Sequence, residues 1–141
     1  MERKYLRVGK ILDRIASIGN DSVIIVEGVR DEESLRRLGI RGNIYRLKSS
    51  RIGLREFAAA ISSYKEAIIL TDFDREGEEL AVRIQRELAP VRVRANNSFR
   101  NQLRGLVSSD VKSVEDLADY FEKMGLEISR LSGPQSSHPL G

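Results

Sequence analysis

Short apolar runs alternate along the chain with longer segments in which apolar residues recur every third or fourth position. The short runs, which are β-branched or alternate in polarity, predict strands at 22–26, 43–47, 67–70 and 91–95. Between them the spacing is helical, as at Leu80, Ile84 and Leu88 before Pro90. Further helices are predicted at 4–19, 31–38, 54–63, 99–107 and 114–124.

Strands that alternate with helices in this order indicate βαβ units with right-handed crossovers. The predicted fold class is α/β, with a four-stranded parallel sheet and helices on both faces. We expect residues 1–20 to form a helix packed on the domain and 21–125 to form the domain with its C-terminal helices. From Gly125 onward the periodicity fades, which predicts a flexible tail at 126–141, and His138 receives no catalytic role.

The junction after the third predicted strand carries the candidate chemistry. Asp72, Asp74 and Glu76 lie at the carboxyl end of that strand, where open α/β sheets bind their ligands. Three carboxylates so close repel one another, and a hard divalent cation relieves that repulsion. We therefore predict a magnesium site. Glu27 ends the first strand, so it points to the same crevice if the two strands are neighbours.

Three other kinds of structure also begin with closely spaced acids. Acids in the first turn of a helix stabilise it as caps, which explains one or two of them. An EF-hand also begins Asp-x-Asp-x-acid-Gly, but its twelfth position falls on Arg83 instead of a bidentate Glu, so we reject it. Haloacid-dehalogenase phosphatases also have a strand that ends in Asp-x-Asp, normally their first. Here two strands precede it, and that family stays as a rival interpretation.

Composition narrows the function classes only slightly. The chain of 141 residues has a net charge of +3 and no cysteine, which excludes disulfides and thiolate metal sites. No apolar run approaches the roughly 20 residues of a membrane helix, and the N-terminal segment lacks the apolar core of a signal peptide. We therefore expect a cytoplasmic protein without a membrane partner. The Arg-rich basic excess permits a nucleic-acid partner without requiring one.

Two motifs together resemble the Toprim domain. They are VIIVEG at 23–28, a strand that ends in Glu-Gly, and ILTDFDREGEE at 69–79, a strand that ends in Asp-x-Asp. That family includes type IA and type II topoisomerases, bacterial primases, overcoming-lysogeny-type nucleases, recombination-repair proteins and ribonucleases that mature small ribosomal RNA. TDFDREGE at 71–78 is especially similar to type IA topoisomerases and reverse gyrase. Glu27, Gly28 and Asp31 are spaced as in the maturation ribonucleases and small stand-alone Toprim proteins.

The resemblance covers roughly residues 20–95 and implies a three-layer Rossmann-like fold with a role for each acid. Glu27 matches the family's lone glutamate, a general acid or base at the scissile phosphodiester, and we also count it among the metal ligands. Asp72 and Asp74 match the catalytic magnesium-binding pair, and Glu76 matches an additional acid of the topoisomerase version. DNA relaxation and primer synthesis are not expected, because both need parts that a single small domain lacks.

What the resemblance implies is Mg²⁺-dependent phosphodiester chemistry on RNA or DNA by a nuclease, with Mn²⁺ as a substitute ion. The alternative is a non-cleaving module that binds Mg²⁺ and nucleic acid within a larger complex. The choice of RNA or DNA, a protein partner and the oligomeric state stay open. Phe73 could stack on a base or seal the pocket. Basic side chains are candidate phosphate contacts; they are Lys48, Arg51, Arg75, Arg92, Arg94, Arg100 and Arg104.

Overall fold

A four-stranded parallel sheet forms the centre of the computed structural model, which describes residues 1–50 and 52–136. The strands are β1 (Ser22–Val26), β2 (Asn43–Arg46), β3 (Glu66–Ile69) and β4 (Arg94–Asn96). Their spatial order is β2-β1-β3-β4, so β1 and β3 are hydrogen-bonded neighbours at the centre. The predicted α/β class with a four-stranded parallel sheet is confirmed.

Helices connect and flank these strands. They are α1 (Glu2–Ala16), α2 (Val29–Arg37), α3 (Leu47–Ser50), α4 (Leu54–Ala60), α5 (Arg75–Leu88), α6 (Ser98–Val107) and α7 (Leu117–Ser136). Short 3-10 turns at Ala89–Val91 and Val114–Asp116 precede β4 and α7. Within the described ranges, every helix is too short or too polar to cross a membrane.

The sheet is buried on both faces because its central strands are apolar on both. In β1, Ile24 and Val26 belong to a core formed with α1, α2, α6 and α7. Val23 and Ile25 belong to a second core formed with α4 and α5. Alternate residues of a strand point to opposite faces, so a strand covered on both sides has to be apolar throughout. The helices therefore form a layer on each side of the sheet.

Several element boundaries differ from the predictions. The basic segment after β2, predicted as a loop, includes the short helix α3, and the helix predicted over 54–63 ends at Ala60. The prediction that regular structure ends near Gly125 is wrong, because α7 extends to Ser136. Leu126, Glu127 and Arg130 are good helix formers, so intrinsic propensity continues the helix where the apolar pattern stops. His138 and the rest of 137–141 lie outside the described residues.

The fourth strand is shorter than predicted. It begins at Arg94, whereas Arg92 ends the preceding 3-10 turn in a left-handed conformation with φ of 63°. Val93, between them, is buried. The prediction that Arg92 and Arg94 alternate along one side of a strand is therefore wrong. Pro90 lacks a backbone N–H and cannot continue α5, so the chain passes through a turn before it enters the strand.

Candidate active site

Glu27 and Asp72 meet at the carboxyl edge of the sheet. Ile25 of β1 lies beside Ile69 of β3, so the two strands end together. Just beyond them, the backbone N–H of Asp72 donates to Oε2 of Glu27 at 3.0 Å. The expectation that the two acids share one crevice is confirmed.

Backbone N–H groups hold the two aspartates of the loop that follows β3. Oδ1 of Asp72 accepts from the N–H of Val114 at 3.0 Å. Oδ1 of Asp74 accepts from the N–H of Gly77 at 2.8 Å, which makes Asp74 the N-cap of α5. Helix capping therefore accounts for an acid at position 74. The Asp72 carboxylate, in contrast, is hydrogen-bonded to a residue 42 positions later in the chain. Each carboxylate keeps a second oxygen that accepts no hydrogen bond from the described part of the chain.

Asp31 is a further acid at this crevice, and the predicted site did not include it. It is 7% exposed, and its Oδ2 accepts from the backbone N–H of Gly28 at 2.9 Å. The Glu-Gly-x-x-Asp spacing in the sequence could have identified Asp31, because an acid three residues after a helix N-cap accepts a hydrogen bond from the N-cap N–H. A cavity of about 360 Å³ opens here. Its charged lining residues are Glu27, Arg30, Asp31, Lys48, Asp72 and Glu115.

The acidic loop owes its shape to close packing between the start of α5 and the backbone of Asp72. A β-carbon on Gly77 would lie 1.9 Å from the carbonyl oxygen of Asp72, so only glycine fits there. The buried hydroxyl of Thr71 donates to the carbonyl oxygen of Gly77 at 2.7 Å. Phe73, between the two aspartates, is buried in the core. These contacts fix the turn that carries both aspartates.

Arg100 is fully buried and holds the acidic loop through its backbone. Its Nε donates to the carbonyl oxygen of Thr71 at 3.2 Å and its Nη2 to that of Asp72 at 2.7 Å. Its Nη1 donates to Glu78 at 2.6 Å. A guanidinium presents five donors in one plane, which suits several acceptors on one loop. The prediction that Arg100 extends an exposed basic surface is therefore wrong.

Replacing Arg100 by Met should destabilise the fold, because the carbonyl groups of Thr71 and Asp72 lose their donors. A buried polar group without a partner costs about 1–3 kcal/mol, so we expect the free energy of unfolding to fall by about 2–4 kcal/mol. Urea denaturation measures it. The matched control, Arg104→Met, changes an exposed side chain one turn later and should alter the free energy by less than about 0.5 kcal/mol. Equal effects of the two substitutions would contradict the structural role of Arg100.

The electrostatics of the crevice disfavour its own negative charge. Burial, as the largest cause, and the negative charges of Glu27, Asp31 and Asp74 together raise the pKa of Asp72 to about 6, against the lowering effect of the hydrogen bond from Val114. Burial is also the largest cause that raises the pKa of Asp31. A cation bound here would relieve the repulsion between these carboxylates.

The raised pKa of Asp72 predicts a pH dependence of stability in the metal-free protein. The side chain titrates near 3.8 when unfolded and at about 6 when folded. Between these values the folded state binds more protons, so stability should fall as the pH rises from about 4 to about 6. Asp72→Asn should remove this contribution, and the exposed-site control Asp13→Asn should keep it. Thermal unfolding in EDTA at several pH values measures both, and a wild-type pH profile in Asp72→Asn would contradict the prediction.

Three predicted site residues lie near the crevice in different settings. Nζ of Lys48 is 3.8 Å from Oε1 of Glu27, so Lys48 belongs to the crevice itself. Arg75 and Glu76 are exposed in the first turn of α5, next to Asp74. Asp74, Arg75 and Glu76 do not line the cavity that contains Glu27 and Asp72.

Three further predicted cations, all within the described residues, are not brought to this crevice. Arg94 pairs with Glu66 at 3.4 Å, and both are first residues of their strands, so Arg94 lies at the opposite edge of the sheet. Arg92 precedes it at that edge. Arg104 is exposed on α6. Arg51 lies outside the described residues, and its contact with nucleic acid stays a prediction.

The donor set of the crevice fits Mg²⁺, since Glu27, Asp31 and Asp72 offer carboxylate oxygens and the ion prefers oxygen ligands. Among the described residues, however, no three or more His, Cys, Asp or Glu side chains are already arranged around one metal position. Mg²⁺ keeps several waters and is often bound through one or two carboxylates plus substrate phosphates. An arrangement of few carboxylates is therefore compatible with this ion.

Comparison with known families connects this geometry to one of them. The family model described as the Toprim domain matches residues 22–101, from the first residue of β1 into α6. The chain belongs to the Toprim family. Toprim domains generally bind Mg²⁺ and usually act on nucleic acid, so membership supports a function related to both.

Relatives of this Toprim protein align over most of its length. It is 44% identical over 130 residues to a UPF0292 protein of Thermococcus kodakarensis, with 92% of each chain covered. It is 42% identical over 120 residues to one of Thermococcus onnurineus, with 85% of this chain and 87% of that one covered. A UPF0292 protein of Methanosarcina barkeri is 35% identical over 133 residues, with 92% of each covered. The chain therefore also belongs to the UPF0292 group, whose name assigns no activity.

A solved structure supports the architecture of this Toprim protein. A protein from Aquifex aeolicus superposes with a TM-score of 0.64, at 21% identity, over 76% of this chain and 94% of that one. At this identity the likeness concerns the fold alone.

Proposed function

We propose that this Toprim protein cleaves phosphodiester bonds of nucleic acid with Mg²⁺, as a nuclease of RNA processing or DNA repair. The observation that carries the proposal is the hydrogen bond from the N–H of Asp72 to the carboxylate of Glu27. It holds a candidate for proton transfer beside a desolvated acid that a cation would stabilise. Cleavage of a phosphodiester needs both functions in one crevice.

Asp72 is the residue best suited to hold the ion, with Asp74 on the same loop and Glu76 as a further carboxylate, whereas Glu27 is assigned to proton transfer in this proposal. When bound, Mg²⁺ supplies charge neutralisation at the phosphate and orients a water, and Mn²⁺ should substitute for it. The protein keeps Asp72 in position through Val114, which bonds its carboxylate. Arg100, which bonds the Asp72 carbonyl, is a positioning residue in this proposal.

Glu27 is the proton-transfer residue in this proposal. Its side chain is 15% exposed, so it reaches the cavity while most of its surface is shielded from water. A general acid or base must lie within hydrogen-bond reach of the proton that it moves, and the hydrogen bond to the Asp72 loop fixes where Glu27 can act. In this proposal Lys48, which is 76% exposed and lies beside Glu27, contacts a substrate phosphate.

A panel of labelled single-stranded, duplex and structured RNA and DNA tests the proposal. We expect at least one substrate class to be cleaved with Mg²⁺ or Mn²⁺, and EDTA or the substitution Asp72→Asn to abolish that cleavage. The exposed-site control Asp13→Asn should cleave like the wild type. If the wild type leaves every substrate intact with either ion, the nuclease proposal is wrong.

The second candidate is a module that binds Mg²⁺ and nucleic acid within a larger complex without cutting. It is favoured by the finding that the described side chains do not already surround a metal position. Against it, a module that only binds has no use for a proton-transfer residue fixed beside the aspartate loop. Mg²⁺-dependent binding of the panel without cleavage of any member would favour this module.

A further inference from the structure

Four cations run along α1, outside the residues that the Toprim family model matches. They recur at intervals of four, three and four residues, which places them within a sector of about 60° on the helix surface. Over the helix axis they extend about 16 Å. All are exposed, and we name them the α1 stripe: Arg3, Arg7, Lys10 and Arg14.

The charge of the α1 stripe is not neutralised within the described part of the chain. None of its four side chains forms an ion pair there. Other cations of the same region do, since Lys4 on α1 pairs with Asp110 and Arg37 on α2 pairs with Asp119. The stripe is therefore available to an external anion.

A cavity beside the stripe leads to the helix that holds the acidic loop. It has a volume of about 500 Å³ and lies between α1 and α6. Three stripe cations line it together with Asn101 and Gln102 of α6. The residue before Asn101 is Arg100, which donates to the carbonyl oxygen of Asp72. Helix α6 thus contacts the acidic loop through Arg100, and its next two residues line the cavity beside the α1 stripe.

We propose that the α1 stripe, with the amides of Asn101 and Gln102, binds the phosphodiester backbone of the nucleic acid on which the crevice acts. The inference rests on the proposed function. Regularly spaced cations without acidic partners match a polymer with regularly spaced phosphates. Asn and Gln side chains also donate to phosphate oxygens. Contacts of this kind position the substrate and are independent of base sequence.

An anionic membrane is the competing partner for a basic amphipathic helix. Helix α1 suits it poorly, because its apolar side chains are already buried in the protein core; they are Val8, Ile11, Leu12 and Ile15. Leu6 is its strongly exposed large aliphatic residue, at 63%. A single such side chain gives little area for insertion between lipids, so a soluble polyanion fits the stripe better.

The test replaces all four stripe residues by Gln, a good helix former, in the full chain. Fluorescence anisotropy measures the affinity for labelled duplex and single-stranded nucleic acid over a range of KCl concentrations. Each duplex phosphate contact contributes about 0.9 to the slope of log affinity against log salt, so we expect the slope to decrease by about 2 to 4. The Kd near 0.1 M salt should rise at least about tenfold.

The matched control replaces four exposed cations that form no ion pair with another described residue and should keep wild-type affinity; they are Arg41, Arg83, Arg86 and Arg130. Thermal unfolding verifies that both variants are folded. Wild-type affinity and slope in the stripe variant, or equal losses in both variants, would overturn the inference, and wild-type cleavage would then still support the proposed function. A wild type that neither binds nor cleaves would overturn both. A stripe variant that loses only binding to phosphatidylserine vesicles would identify a membrane surface instead.

Discussion

Glu27→Gln is expected to lower the rate of Mg²⁺-dependent cleavage by about 10²- to 10⁴-fold, the usual contribution of a positioned general acid or base. The substitution keeps the shape of the side chain and its carbonyl can still accept the hydrogen bond from Asp72, but it cannot take up a proton at neutral pH. Affinities for Mg²⁺ and nucleic acid should change little. Single-turnover cleavage, calorimetric Mg²⁺ titration and anisotropy on one preparation measure the three quantities.

The control for this substitution is Glu79→Gln, the same chemical change at an exposed position of α5. It should leave all three quantities at their wild-type values. If Glu27→Gln loses Mg²⁺ binding, Glu27 is a metal ligand. If it cleaves at the wild-type rate, Glu27 has no part in proton transfer and the proposed mechanism is wrong.

Gly77→Ala should have the largest effect on stability. The new β-carbon would lie 1.9 Å from the carbonyl oxygen of Asp72, a backbone atom that cannot rotate away. Either α5 or the acidic loop must shift, and such overpacking should lower the free energy of unfolding by at least about 3 kcal/mol. For a chain of this length the melting temperature should fall by about 10 °C. The shift would also displace Asp72, so Mg²⁺ binding should weaken.

Gly105→Ala provides the control, since Gly105 is also helical, but among the described residues no atom beyond its chain neighbours and the backbone of its own helix lies within 4 Å of its potential β-carbon. Alanine is the better helix former, so this substitution should stabilise the protein by about 0.5–1 kcal/mol. Thermal and urea unfolding of both variants measure the difference. Equal stability of Gly77→Ala and the wild type would mean that the close packing at Asp72 does not determine the loop.

The crevice could be predicted from the sequence because it depends on topology. Parallel neighbouring strands end at one edge of the sheet, so strand ends at Glu27 and Asp72 were sufficient to bring the two acids together once β1 and β3 are adjacent. The apolar character of both strands on both faces also predicted helices on each side of the sheet. Predicting these features requires only the spacing of apolar residues and the order of strands and helices along the chain.

Arg100 could not be recognised from the pattern. Its helix has a charged residue at both 100 and 104, and helical spacing treats them as equivalent. Their environments differ because α6 packs so that position 100 faces the carbonyl groups of Thr71 and Asp72, which act as acceptors for a buried guanidinium. Every residue has a backbone carbonyl group, so the sequence does not show which carbonyl groups will accept hydrogen bonds from a buried Arg. Such an Arg can be identified only from the structure.

The misplacement of Arg92 has a local cause. Alternating Val and Arg predicts a strand, but the 3-10 turn Ala89–Val91, which contains Pro90, and its C-cap Arg92 delay the strand to Arg94. The α1 stripe was missed for a different reason. A helix with an apolar face is sufficiently explained by core packing. Its exposed cations indicate a binding surface only once the structure shows that no described residue pairs with them.

A control for the metal site changes charge without touching the crevice. Asp13→Asn combined with Glu127→Gln removes two negative charges at exposed positions of α1 and α7. This variant should keep the Mg²⁺-dependent stabilisation of the wild type. Any general effect of net charge on Mg²⁺ affinity will appear in it.

Thermal unfolding of the wild type and of the Asp72→Asn, Asp74→Asn double variant, with and without Mg²⁺, tests most directly whether the acidic crevice holds the metal. The wild type should gain stability with the logarithm of Mg²⁺ concentration, by about 2.7 kcal/mol at a concentration 100 times the Kd. The double variant should show no Mg²⁺-dependent shift, and without metal it should be at least as stable as the wild type because repulsion is removed. A double variant that keeps the wild-type shift would contradict the account and place the metal elsewhere.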